Sequence, residues 1–181
     1  MNQEFLKRFI SSLILILIVV FVIIKGSIFL NLFIFICFFI SLYEWYKMKK
    51  NNPYYFIGIV FLFLSFYSVY YLTNSKIDIS FFLLIMVICI STDLGGYFFG
   101  KIFKGKKLTK ISPKKTISGT IGSFVMPLFL IPLIIYLSSN EYQNNFKLFI
   151  MIISVALVCQ LGDLFISFLK RKAKVKDTGD L

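Results

Sequence analysis

Six stretches of about 20 apolar residues, the length that crosses a hydrocarbon core, run through the chain at roughly 9–24, 27–46, 54–72, 79–99, 119–137 and 146–169. This pattern leaves few folds open. With 59% hydrophobic residues and 23 Phe in 181 positions, a water-soluble domain would have no means of hiding its apolar surface. In lipid each backbone N–H and C=O must find a partner within the protein, so segments of this length become helices. The expected fold is all-α: a polytopic membrane bundle of about six transmembrane helices. Lys7 and Arg8 before the first stretch have the look of a secretory leader. No small-residue cleavage site follows, and Lys25-Gly26 leads straight into the second stretch, so the first is read as a retained helix.

Charge then orients the bundle. The net charge of +12 must lie outside the hydrocarbon. Seventeen of the 20 basic residues fall on one side of the predicted spans, leaving only Lys25, Lys76 and Lys147 on the other. The positive-inside rule makes the rich side cytoplasmic, and an even number of spans puts both termini there. Tyr43, Trp45 and Tyr46 sit at the same predicted boundary, where aromatic rings anchor. The chain reads as one membrane domain, with a three-span region (1–75) followed by the region that carries the chemistry (76–181). It holds no soluble domain and no aromatic-interleaved basic face, which excludes nucleic-acid binding.

The chain has no His, and Cys37, Cys89 and Cys159 lie inside apolar stretches without the spacing of a zinc site. Metal chemistry therefore falls to carboxylates, which suits Mg²⁺. Asp93 lies eight residues before Lys101 and Asp163 seven before Lys170, so at the helical rise both sit on the order of 10 Å below the first inner lysine. Acids buried at matching depth, in spans running the same way, can share one cation. Gln160, Asp163, Ser167 and Lys170 recur every three or four residues and form one polar stripe. Asp93, Gly96 and Gly100 form the matching face of the fourth span.

Between the fourth and fifth spans runs KIFKGKKLTKISPKKTISGT (101–120), with seven lysines and no acid. Ser112 followed by Pro113 reads as an N-cap and first helical residue, placing Lys114 and Lys115 in a first turn that already presents positive charge. Such a helix start suits a bound phosphate. Ser112, Lys114, Lys115 and Thr116, with Lys101 at the end of the fourth span, are the candidate phosphate-binding residues. Beyond the sixth span, Lys170, Arg171, Lys176 and Asp177 suggest a structured loop close to a metal.

Asp93-Leu94-Gly95-Gly96-Tyr97-Phe98-Phe99-Gly100-Lys101, then Ser112-Pro113-Lys114-Lys115-Thr116 with Gly119 and Gly122, then Gln160-Leu161-Gly162-Asp163-Leu164-Phe165, Ser167-Phe168-Leu169-Lys170-Arg171 and Lys176-Asp177-Thr178-Gly179-Asp180 occur in order. Together they resemble the phosphatidate cytidylyltransferases over roughly residues 90–181, with Glu44-Trp45 a weaker match upstream. The resemblance implies CTP plus phosphatidate giving CDP-diacylglycerol and pyrophosphate, dependent on Mg²⁺, at the inner face of the cell membrane. It implies a metal on Asp163 and Asp93, further catalytic roles for Lys170, Arg171, Lys176 and Asp177, lysines on the phosphates, and a homodimer. Three departures stand out. Ser118 and Ile166 stand where family members usually carry acids. The family signature also continues into His-Gly-Gly and Asp-Arg-x-Asp stretches, whereas this sequence stops at Leu181, so a fragment with an incomplete site is expected. The alternatives are a CTP-dependent kinase of a polyprenol-type lipid alcohol and a small membrane transporter.

Overall fold

The computed structural model describes residues 3–47, 54–74, 79–109, 112, 115–130 and 145–173. They form six helices: α1 (Gln3–Lys25), α2 (Ser27–Lys47), α3 (Tyr54–Asn74), α4 (Ile79–Phe103), α5 (Ile117–Leu128) and α6 (Asn145–Lys172). No strand occurs among the described residues beyond one isolated antiparallel bridge, Lys107 with Thr116. Helices α2, α3, α4 and α6 are each long and apolar enough to cross a membrane. The outward faces are apolar, with Ile24 and Ile28 more than three-quarters exposed, as lipid contact demands. The chain is a polytopic helical membrane protein.

The helices form where hydropathy places them and overrun the expected ends. Helix α4 continues past Gly100 to Phe103, and α6 runs on through Lys170 to Lys172. Glycine separates α1 from α2, because Gly26 takes φ +98°, a left-handed conformation that side-chain-bearing residues resist. The fifth stretch differs from expectation. Within the described residues α5 ends at Leu128 after 12 residues, and its Pro127 lacks the N–H that would continue the ladder. Residues 131–144 lie outside the described set.

Helices α2 and α3 make an aromatic hairpin. Phe38 stacks on Phe66 with centroids 4.5 Å apart, and Phe35 and Phe63 add edge contacts at 4.9 and 5.1 Å. At one end Trp45 lies flat against Gly58, where a Cβ would fall inside its ring, and its Nε1 donates to the Tyr55 carbonyl at 3.1 Å. At the other end Asn31 and Asn74 exchange side-chain hydrogen bonds of 2.9 and 3.0 Å.

Among the described helices, α4 and α5 make the closest pairing. Gly95 and Gly122 let the two backbones meet, since a Cβ on either would collide with the other's carbonyl oxygen. Helix α6 packs across both. Ile88 and Ile152 are fully buried between α4 and α6 with Leu84 and Leu148, while Leu169 of α6 joins Trp45, Tyr54 and Phe168 against the hairpin. One end of the bundle thus gathers the C-termini of α2, α4 and α6 with the N-termini of α3 and α5.

Candidate functional site

At that end, the lysine-rich connection folds into a small hairpin. After Phe103 ends α4, Lys104 takes φ +43° and the chain doubles back. Leu108 N–H donates to the Lys115 carbonyl at 2.8 Å and Ile117 N–H to the Lys106 carbonyl at 2.9 Å, which holds Thr116 extended just before α5. This pairing corrects the expected helix start. Ser112 does not cap α5; its carbonyl accepts the Lys115 N–H at 3.1 Å in a turn. The cap is Thr116, with φ −111° and ψ 155°, whose hydroxyl accepts the Gly119 N–H at 3.1 Å. Lys115 therefore precedes the first turn instead of sitting within it. Lys114, expected beside it, lies outside the described residues. Ser118 accepts the Gly105 N–H at 3.2 Å and so ties the hairpin to α5.

The turn aims Lys115 inward. Its Nζ donates to Asp163 Oδ2 at 2.9 Å and to Gln160 Oε1 at 3.3 Å. Gln160 is buried, and its Nε2 donates to Ser123 Oγ at 2.8 Å. Ser123 in turn donates to the Gly119 carbonyl at 3.0 Å. Sequence reading placed Gln160 in a polar stripe and in the family-like motif that leads to Asp163, but gave it no role, and passed over Ser123. The one signal for Ser123 was its place in a run of small residues on α5.

Asp93 and Asp163 line one cavity of about 360 Å³ with Gly96, Lys101, Lys115 and Thr116. A second cavity, about 510 Å³, shares Asp93, Asp163 and Lys115 and extends past Cys159, Ser167 and Lys170 to Phe61 of α3. The structure thus brings the two acids, Lys115, Lys101, Thr116 and Lys170 to adjoining cavities. The two carboxylates are hard oxygen donors, and no cluster of three or more His, Cys, Asp or Glu occurs among the described residues. That donor set fits Mg²⁺, which takes one or two carboxylates and completes its shell with water and phosphate oxygens. Lys101 Nζ lies 3.4 Å from the Tyr97 hydroxyl and leans on that ring. Arg171 is exposed on the last turn of α6, Ser112 stays in the hairpin turn, and Lys176 and Asp177 lie outside the described residues. Cys89 and Cys159 meet across α4 and α6 with sulfurs 3.2 Å apart.

Residues 53–181 match the model of the cytidylyltransferase family. A phosphatidate cytidylyltransferase of Rickettsia bellii is 34% identical over 145 residues, covering 76% of this chain and 63% of that protein. Its counterpart in Rickettsia felis is 35% identical over 147 residues, covering 76% and 64%. The phosphatidate cytidylyltransferase of Staphylococcus epidermidis is 34% identical over 125 residues, covering 68% of this chain and 45% of its own length. The chain therefore spans a little under two-thirds of the length of its rickettsial relatives. No solved structure matches it. A family match across more than two-thirds of the chain, with Asp93, Lys101, Lys115 and Asp163 of its ordered motifs gathered at one cavity, places this protein in the cytidylyltransferase family.

Proposed function

We propose that the chain carries the reaction named for its relatives, the transfer of a cytidylyl group from CTP to phosphatidate. The observation that carries this reading is the convergence of Asp93, Asp163 and Lys115 on one cavity at the basic end of a membrane bundle. In the reaction a phosphatidate oxygen bonds to the α-phosphorus of CTP, the bond from that phosphorus to the bridging oxygen breaks, and pyrophosphate leaves. The attacking oxygen is already ionised, so no general base is required. The site must position two anions and neutralise their charge.

Asp163 and Asp93 are the residues that would hold Mg²⁺, which when bound offsets the charge of the triphosphate. Lys115 and Lys101 supply compact, strongly hydrated positive charge to phosphate oxygens. The N-terminus of α5 adds its dipole, since Thr116, Gly119 and Thr120 line the same cavity. Lys170 brings a further cation to the second cavity. The distribution of basic residues supports a cytoplasmic position for this face.

Membranes carrying the protein at the full length of its relatives, given phosphatidate, Mg²⁺ and CTP labelled at the α-phosphate, are expected to form labelled CDP-diacylglycerol and release pyrophosphate. No labelled lipid above background would overturn the reading. Release of CDP with a phosphorylated lipid alcohol would replace it with a kinase.

A further inference from the structure

We propose that Lys115 is the resident counter-ion of the metal-holding carboxylate, and that Gln160 is the pivot on which its ammonium turns from Asp163 to a phosphate. The proposal rests on the reading above, in which Asp163 holds a divalent cation and Lys115 meets a phosphate.

The geometry behind it is a directed relay. Lysine has only donors, so the Gln160 oxygen must face Lys115 and its NH₂ must face Ser123. Ser123 has committed its proton to the Gly119 carbonyl and can only accept from Gln160. Each member fixes the next, and the chain ends on Asp163. Gln160 is 8% exposed and Ser123 1% exposed, so neither can follow a moving charge into the cavity. Lys115, on its flexible four-carbon stem, can.

A divalent cation and an ammonium on the same carboxylate repel each other. Metal binding to Asp163 therefore drives the Lys115 ammonium off, and Gln160 keeps it at the cavity wall. A phosphate in the cavity then offers that ammonium a new partner. Metal and phosphate favour each other's binding by this exchange, and the metal enters best as its nucleotide complex. Without phosphate, Lys115 suppresses metal affinity.

The test is Mn²⁺ titration of the full chain in lipid nanodiscs without nucleotide, read by electron paramagnetic resonance. Lys115→Met is expected to tighten Mn²⁺ by about two- to fivefold, the upper part of the range for removing a partly exposed ion pair. Lys115→Gln carries the same expectation should the methionine variant fail to fold. Lys101→Met removes the same charge from the same cavity without touching Asp163 and is expected to change Mn²⁺ affinity less than about twofold. Gln160→Met is expected to raise KM for CTP severalfold with kcat little changed, because the ammonium loses its seat and not its charge. Equal shifts for the two lysine variants, no shift at Lys115, or no Mn²⁺ binding that depends on Asp163 would each overturn the proposal. The titration involves no turnover, so its failure is distinguishable from failure to make CDP-lipid.

Discussion

Asp163 illustrates what single residues in this chain reveal in advance. Its depth in the membrane, and that of Asp93, follow from helical rise alone, and both side chains do reach one cavity. Its partner Lys115 is 48 positions away, and nothing in local spacing joins them. Ser112 shows the opposite failure. Ser-Pro is a sound local signal for a helix start, but the backbone pairing of Lys106 to Leu108 with Lys115 to Ile117 outweighs it and passes the cap to Thr116. Asp163→Asn keeps the shape and removes the charge; CDP-lipid formation by the purified protein is expected to fall on the order of 100-fold or more, with thermal stability little changed.

At the scale of elements, hydropathy finds the helices and misses how closely two of them meet. Gly96 and Gly100 on the Asp93 face read as places for close approach, by a helix before a ligand, and the structure shows α4 and α5 in backbone contact through Gly95, Gly96, Gly119 and Gly122. Gly122→Val is expected to force the pair apart and cost about 1–3 kcal/mol, seen as a lower melting temperature in nanodiscs. Gly162 of α6 provides the contrast, since a Cβ there meets nothing within 4 Å. Gly162→Ala is expected to stabilise by about 0.5–1 kcal/mol, because alanine loses less freedom in a helix. The length of α5 was not legible: the apolar run continues past Pro127, but the described helix stops at Leu128.

For the whole molecule, the asymmetry of basic residues is the strongest signal the sequence carries, and it concerns orientation. A cysteine at Lys104, in a chain whose Cys37, Cys89 and Cys159 are replaced, is expected to react with an impermeant maleimide in inverted vesicles and not in intact cells. Binding of CTP to so basic an end is also expected to weaken as salt rises, since exposed charges separated by about 10 Å are screened at 0.1 M.

The hairpin of α2 and α3 is clasped at both ends, by Asn31 with Asn74 and by Trp45 with Gly58 and Tyr55. Two rods pinned twice cannot slide past each other. When acyl chains shorten or lengthen, they must lean together as a single strut. The strut touches α6 where Trp45 meets Leu169, one position before Lys170. A lean of that strut would be felt at the turn of α6 that carries Lys170 into the second cavity.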